Sequence, residues 1–340
     1  MKPAKKMGFA VVGLGNIARG SILPAFANSK KARLVALVSG DGQKAEQLSK
    51  RFQSAAVYDY KEYAECLANP EIGAVYIATP PGTHAKFTVQ AARAGKHVLC
   101  EKPLAATAEQ SAEMVKACRE ANVQLMTAYR KYFEPGSLYL KELIRSGALG
   151  RIDVIHTAFS ELHTPGASQD WLLDSRLAGG GPLMDLGIYC VNTSRWLADE
   201  DPLEVSAACW SHDKRFRQVE EGVVFRMRFR SGLVVQGSST YAAALSSFLY
   251  VQGRKGWASL SPAFPFDEAR QLSARIGGHQ LRRTFRVVDE FALEIDAFAV
   301  AIQGKQAIEP DGIQGHRDMV ILNAIYESAR KQKSVRVRYE

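Results

Sequence analysis

The chain has 340 residues, of which 46% are hydrophobic and 23% charged, and its formal net charge is +9. This length fits two domains of ordinary size better than one compact core. No apolar run is long enough to cross a bilayer, and no apolar leader follows the N-terminal lysines, so we expect a soluble, cytoplasmic protein without a membrane partner. The basic residues are spread along the chain and match no recognition module, which argues against a nucleic-acid partner.

The cysteines are an odd-numbered, widely spaced set. The five of them form neither a Cys-x-x-Cys pair nor a cluster with histidine. We therefore expect reduced thiols, no disulfide framework and no metal site.

The first 128 residues alternate short apolar runs with helix-like segments, as βαβ units around a parallel sheet do. The predicted strands are residues 8–12, 34–38, 74–78, 97–100 and 123–127. The helical patterns between them cover residues 16–27, 44–52, 84–94 and 109–120. We therefore predict a Rossmann domain, of the α/β class, over residues 1–128.

From residue 150 onward the pattern is rich in β-strands. Residues 223–241 and 248–260 are typical of two hairpins, and residues 183–197, 291–302 and 315–331 of helices. We predict an α+β domain over residues 129–340, with an open, mostly antiparallel sheet that binds substrate and mediates oligomerisation.

A glycine-rich turn joins the first predicted strand to the first helix. Gly13 permits the tight turn, Gly15 leaves room for phosphates, and Ala18 allows helix and strand to pack closely. Small residues at such a turn can serve the turn alone, but this turn opens a βαβ unit, where a helix N-terminus binds a pyrophosphate. The residues expected to contact a dinucleotide are Gly13, Leu14, Gly15, Asn16 and Ile17.

The end of the second strand bears on the choice between NAD and NADP. An acid there would accept a hydrogen bond from a free ribose hydroxyl and repel a 2′-phosphate, but Ser39 and Gly40 occupy the position. Lys44 follows in the next helix and can supply a cation to the phosphate. Alternatively, Asp41 caps that helix and Lys44 is merely solvated. We favour NADP over NAD.

The fifth predicted strand ends in Glu101-Lys102-Pro103. This places an ammonium group at the carboxyl edge of the sheet, where ligands bind. There, Lys102 can hydrogen-bond a substrate hydroxyl and stabilise a developing oxyanion.

With these motifs the chain resembles the Gfo/Idh/MocA oxidoreductase family and, within it, the glucose-fructose oxidoreductases. The matching stretches lie in both predicted domains: residues 13–18, 37–40, 91–103, 178–189 and 227–232. The resemblance implies that Lys102, Asp185 and Tyr189 are catalytic, with Tyr189 exchanging a proton at the reacting oxygen and Asp185 orienting substrate hydroxyls. Residues four apart on a helix share one face, which agrees with this pairing. Without the resemblance, Tyr189 reads as a core aromatic residue and Asp185 as a helix-start acid.

The resemblance also suggests further cofactor contacts. Beside Glu101 and Lys102, these are Thr79 and Pro80 after the third long strand, His84, Arg130 and Trp171. For His84, a helix-capping or buried role is an open alternative. Leu172 stands where the related proteins have arginine after the tryptophan, which puts the contacts of that loop in question.

These features together predict an NADP-dependent oxidoreductase that transfers a hydride between nicotinamide and an aldose-like sugar. Alternative activities are those of an inositol, anhydro-sugar or dihydrodiol dehydrogenase or reductase. An alternative of another class is a non-catalytic, NADP-sensing regulator, because fold alone does not guarantee chemistry. The open sheet and the resemblance imply a homodimer or homotetramer.

Overall fold

A computed structural model of the protein describes residues 6–53, 56–164 and 170–339. The chain forms two compact units. Unit 1 comprises the chain up to Arg130 together with Asp289–His316, and unit 2 comprises Lys131–Val288 and the chain from Arg317 onward. The sequence had assigned residues 289–316 to the second domain, whereas the structure groups them with unit 1, because a helix in this segment packs against the unit 1 sheet.

Unit 1 is built on a six-stranded, all-parallel sheet. Its strands run in the order β3-β2-β1-β4-β5-β6, the order of a Rossmann fold. They are β1 (Met7–Val12), β2 (Ala32–Val38), β3 (Ala56–Tyr58), β4 (Ala74–Ile77), β5 (His97–Glu101) and β6 (Leu125–Ala128). The central strands are almost wholly apolar and buried, as strands covered on both faces are. The predicted Rossmann sheet is confirmed, with β3 as an additional short edge strand.

The helices of both units are numbered in chain order. They are α1 (Leu23–Asn28), α2 (Gly42–Phe52), α3 (Tyr63–Ala68), α4 (His84–Arg93), α5 (Ala108–Glu120), α6 (Pro135–Arg145), α7 (Ser175–Ala178), α8 (Ile188–Ala198), α9 (Glu290–Gly304) and α10 (Gly312–Lys331). Two π-helical turns, Ala18–Ile22 and Leu183–Gly187, run directly into α1 and α8. In unit 1, α9 packs on the sheet, where the rings of Phe298 and Phe9 lie 6.1 Å apart.

Unit 2 is built on a nine-stranded sheet, which is antiparallel except where β7 pairs with β10. The strand order is β14-β13-β12-β11-β7-β10-β9-β8-β15. The strands are β7 (Ile152–Ser160), β8 (Pro202–Trp210), β9 (Gly222–Phe229), β10 (Val234–Thr240), β11 (Ser246–Gly253), β12 (Gly256–Ser261), β13 (Arg270–Ile276), β14 (His279–Phe285) and β15 (Val335–Arg336). The predicted open, mostly antiparallel sheet is confirmed, including both hairpins.

One face of the unit 2 sheet is covered by helices α6 and α8. Alternation along β9 buries every second residue against that face, and α8 is buried on nearly all sides. In the described ranges, no helix is both long and apolar enough to span a membrane.

Candidate active site

The parallel strands of unit 1 bring several predicted site residues to one edge of the sheet. Gly13 follows β1, Ser39 follows β2, Thr79 lies just beyond β4, and Lys102 follows β5. Because the strands are parallel, the residues that follow them share the carboxyl edge, where ligands bind in open α/β sheets. Each residue is therefore placed by the strand before it.

The turn after β1 has the geometry of a phosphate cradle. Gly13 adopts a φ of +94°, and a Cβ there would lie 2.7 Å from the carbonyl oxygen of Ala78, so only glycine fits. At Gly15, by contrast, a Cβ would meet nothing within 4 Å. The exposed face of Gly15 leaves free space at the start of a helix, as a bound pyrophosphate requires. Leu14 is buried, while Asn16 is exposed and accepts a hydrogen bond of 2.7 Å from Arg19.

The segment after β2 lacks an acid at the strand end. Ser39 is buried, and its hydroxyl accepts a hydrogen bond from the backbone N–H of Asp41. Asp41 caps α2 and forms a 3.0 Å ion pair with Lys44. Hydrogen bonds from the backbone and side chain of Lys44 hold the pKa of Asp41 below its usual value. Asp41 therefore caps the helix, as the alternative expected, while Lys44 has an anionic neighbour and a half-exposed side chain.

His84 has a different place from the one expected of a cofactor ligand. Its ring is fully buried, with Nε2 2.7 Å from the carbonyl oxygen of Thr79 and Nδ1 3.1 Å from that of Leu104. Burial lowers the pKa of His84 below its usual value. His84 thus contacts both the turn after β4 and the segment after β5. This is the buried role that the sequence left open as an alternative. Thr79 also accepts a 2.8 Å hydrogen bond from Thr83.

Glu101 and Lys102 close the end of β5 and are both partly exposed. The Glu101 carboxylate accepts hydrogen bonds from the Tyr76 hydroxyl, at 3.0 Å, and from the backbone N–H of Lys102, at 3.2 Å. Burial raises the pKa of Glu101, against the opposing effect of the Lys102 charge. The Glu101 carboxylate therefore places a negative charge near the Lys102 ammonium group.

Arg130, predicted to line the cofactor, is buried and forms a 2.7 Å ion pair with Glu290 of α9. Its guanidinium also lies over the ring of Phe291, at 5.7 Å. These contacts give Arg130 a structural role in joining the end of β6 to α9. The sequence did not reveal this role, because Glu290 is far away along the chain.

In unit 2, Asp185 lies in the π-helical turn before α8, and Tyr189 lies in the first turn of α8. The Asp185 carboxylate accepts a 3.1 Å hydrogen bond from the Tyr241 hydroxyl. Burial, followed by the Asp185 charge, raises the pKa of Tyr241 well above its usual value, so this phenol stays protonated as a donor. The Tyr189 ring packs against the rings of Phe159 and Phe264, with centroid distances of 5.7 and 5.6 Å.

The glycine run before Asp185 is held by a buried glutamate. Glu220 accepts 2.9 Å hydrogen bonds from the backbone N–H groups of Gly181 and Leu183 and a 3.0 Å bond from the Tyr326 hydroxyl. A Cβ on Gly181 would lie 2.1 Å from the Glu220 carbonyl oxygen, so glycine is required for this approach. Glu220 therefore positions the turn that carries Asp185.

The sequence interpretation missed three supporting residues, namely Tyr76, Glu220 and Tyr241. The glycine run was the one available signal, since consecutive glycines mark close backbone approach, but it does not name the partner. Trp171 lies in a short 3₁₀ turn, Asp170–Leu173, and is partly exposed. The preceding residues 165–169 lie outside the described residues. No group of three or more potential metal ligands occurs in the described parts of the chain.

Comparison with known proteins gives the arrangement a context. Residues 7–129 match a family model described as an oxidoreductase family with an NAD-binding Rossmann fold. Residues 137–259 match the model described as the GFO/IDH/MocA C-terminal domain.

Several characterised proteins are similar along nearly the whole chain. The chain is 31% identical to an NADP(+)-dependent D-xylose 1-dehydrogenase of Haloarcula marismortui, over 97% of this chain and 92% of that protein. It is 30% identical to D-xylose 1-dehydrogenase (NADP(+)) 2 of Haloferax volcanii, over 97% and 99% of the two chains. Its fold matches an aldose-aldose oxidoreductase of Caulobacter crescentus, solved with glycerol, with a TM-score of 0.93, 34% identity and coverage of 98% and 100%.

Proposed function

The chain belongs to the Gfo/Idh/MocA oxidoreductase family, and on that basis we propose that it transfers a hydride between NADP and the hydroxyl-bearing carbon of an aldose. The observation that carries the cofactor part is the turn at Gly13 and Gly15, with its helix N-terminus and open space. The similar D-xylose dehydrogenases, named for NADP(+), support the sugar class and the cofactor.

Oxidation of a sugar hydroxyl removes a hydride from carbon and a proton from oxygen. When bound, NADP supplies the hydride acceptor. We assign the exchange of this proton to the Tyr189 hydroxyl, and we assign to Lys102 a hydrogen bond that stabilises negative charge developing on the substrate. Asp185, held by Tyr241, accepts hydrogen bonds from neighbouring sugar hydroxyls. In the direction of reduction each proton movement is reversed.

The activity test is a panel of aldoses, inositol, an anhydro-sugar and an aromatic dihydrodiol, each with NADP or NAD, followed by nicotinamide absorbance. We expect turnover with aldoses and NADP. Turnover with only one of the other substrate classes would replace the proposed substrate. If the protein binds NADP but turns over none of them, the sensing-regulator alternative takes its place.

The assigned roles are tested by Lys102→Ala and Tyr189→Phe. Loss of a positioned acid or base costs roughly 10²–10⁴-fold in rate, so kcat/KM should fall by that order while the Kd for NADP changes little. Tyr139→Phe, a tyrosine of α6 that packs on Phe285, is the matched control and should leave kcat/KM unchanged. Equal activity in Tyr189→Phe and Tyr139→Phe would refute the role of Tyr189.

The preference for NADP is tested at Ser39. Ser39→Asp introduces a carboxylate that should repel a 2′-phosphate and accept hydrogen bonds from a free ribose, raising the ratio of Kd for NADP to Kd for NAD at least about tenfold. Ser39→Ala is the neutral control. An unchanged ratio in Ser39→Asp would show that the 2′-position is bound elsewhere.

We also propose that the uncovered face of the unit 2 sheet pairs with a second copy of the chain. Cross-strand neighbours on this face form a row from β8 to β11, which consists of Ala208, Val224, Ser238, Ala158 and Phe248. Val224 and Phe248 remain 46% and 37% exposed, although both are large apolar residues. Val224→Glu should convert the oligomer to monomers in analytical ultracentrifugation, and an unchanged mass would exclude this surface.

For the cellular location, we propose the cytoplasm. All five cysteines are free thiols, and four of them are buried. This pattern is typical of proteins of a reducing compartment. Fractionation of cells that express the full chain tests the location.

A further inference from the structure

Three glutamates lie near the carboxyl end of β5 in unit 1. Glu101 ends the strand, while Glu290 and Glu294 project from α9 and are 2% and 0% exposed. A buried carboxylate is strongly disfavoured unless a cation or several donors compensate its charge. Arg130 compensates Glu290 directly, at 2.7 Å. Glu294 has no comparable ion pair among the salt bridges of the described residues.

Tyr76 links Glu101 and Glu294. Its hydroxyl oxygen lies 3.0 Å from Oε1 of Glu101 and 3.3 Å from Oε2 of Glu294, and the ring is fully buried. A phenol has one proton and can donate to only one of the two carboxyl groups. If both were ionised, the other carboxylate would face the phenol oxygen with no proton between them. The second oxygen of Glu294, Oε1, has no hydrogen-bond partner at all.

The surroundings of Glu101 and Glu294 decide which of the two carboxyl groups carries an additional proton. Glu101 is partly exposed, accepts the Lys102 N–H, and has the charges of Lys102 and Arg130 beside it. Burial and then the neighbouring charge of Glu101 raise the pKa of Glu294 well above its usual value, and Glu290 adds to this effect while Arg130 opposes it.

We propose that Glu294 is protonated at neutral pH and donates to Tyr76, which in turn donates to Glu101, so that Glu101 stays ionised beside Lys102. In this series of hydrogen bonds, each donated proton has one acceptor. Glu294 and Tyr76 are positioning residues, since they act on Lys102 through Glu101. The consequence for catalysis rests on the proposed function of Lys102, but the protonation of Glu294 does not.

Unfolding as a function of pH tests the protonation directly. A carboxyl group whose pKa is raised by folding adds its full stability below its unfolded pKa of about 4.3, and that stability is lost as the pH rises toward the folded pKa. Between these values the folding equilibrium constant should fall about tenfold per pH unit more steeply in the natural protein than in Glu294→Gln, because glutamine mimics the neutral acid. Calorimetric unfolding of the whole chain between pH 5.5 and 7.5 measures this difference.

The control is Glu113→Gln, an exposed acid of α5, whose unfolding should track the natural protein at every pH. Parallel pH dependences for the natural protein and Glu294→Gln would overturn the proposal. So would a large loss of stability in Glu294→Gln at pH 7.5, because it would mean that an ionised Glu294 is needed.

Steady-state kinetics test the link to Lys102. Glu294→Gln should keep the pH profile of kcat/KM, whereas Tyr76→Phe removes a donor to Glu101 and should shift the acidic limb of the profile to higher pH. If Tyr76→Phe only lowered kcat/KM equally at all pH values, the positioning role would be refuted. If no sugar were turned over at all, the proposed function would fail, but the unfolding comparison would still decide the state of Glu294.

Discussion

The turn at Gly15 offers a way to separate cofactor binding from folding. The change is Gly15→Ala. The added methyl group would meet no protein atom within 4 Å, and the φ of Gly15 lies outside the left-handed range, so the free energy of unfolding should change by no more than about 0.5 kcal/mol. The same methyl group would enter the space that we assign to the cofactor pyrophosphate.

The expected loss of affinity follows from the hydrogen bonds at stake. A hydrogen bond from a backbone N–H to a charged group contributes about 1.5–3 kcal/mol, and displacement of the phosphate by the methyl group forfeits at least one of them. The Kd for NADP should therefore rise by roughly 10–150-fold. Isothermal titration calorimetry with NADP, together with urea unfolding, measures both quantities on the same protein.

Two neighbouring glycines serve as controls for this experiment. Gly20→Ala also adds a methyl group with no neighbour within 4 Å, so both stability and Kd should stay near their natural values. Gly13→Ala should instead lose several kcal/mol of stability, since the positive φ costs about 1–2 kcal/mol and the overlap with Ala78 about 1–3 more. The reasoning is refuted if Gly15→Ala binds NADP as tightly as Gly20→Ala does.

Three further changes probe other contacts. Glu290→Leu leaves the Arg130 charge buried without its carboxylate and should destabilise the protein by about 3–5 kcal/mol in urea unfolding, whereas the double variant with Arg130→Met should recover most of this; an additive double variant would contradict the pairing. Tyr241→Phe removes one donor to the Asp185 carboxylate, worth about 1.5–3 kcal/mol, so kcat/KM for the sugar should fall roughly 10–150-fold at constant Kd for NADP. Burial lowers the pKa of His97, so the unfolded chain binds more protons than the folded chain below about pH 6.5, and stability falls as the pH drops through that value. His97→Asn, which keeps an acceptor at this position, should flatten that fall.

The architecture of both units was largely predictable from sequence, because it depends on local sequence patterns. The alternation of apolar strands and helices in the first half yields a parallel sheet, and the two hairpins after residue 220 yield antiparallel pairs. The positions of Gly13 and Lys102 followed from the same logic, since each comes directly after a strand. Local spacing was sufficient for these elements.

The contacts that support the site were not predictable, because they join residues that are distant along the chain. The pairing of Arg130 with Glu290 and the hydrogen bond between Tyr241 and Asp185 have no local signature. For the same reason His84 was open between a cofactor contact and a buried role. Its neighbours, the carbonyl groups of two separate turns, appear only in the folded chain.

The composition of unit 1 from two separate stretches has a consequence for how the protein is made. A chain that emerges from the ribosome exposes β1 to β6 first, but α9 follows only after residues 131–288 have been synthesised. Until then Phe9 lacks Phe298, Arg130 lacks Glu290, and Lys30 and Lys31 lack the carboxylate that accepts their backbone N–H groups. The first unit to begin folding is therefore completed late in translation, and an expression fragment that stops at Arg130 would lack the packing of α9 on its sheet.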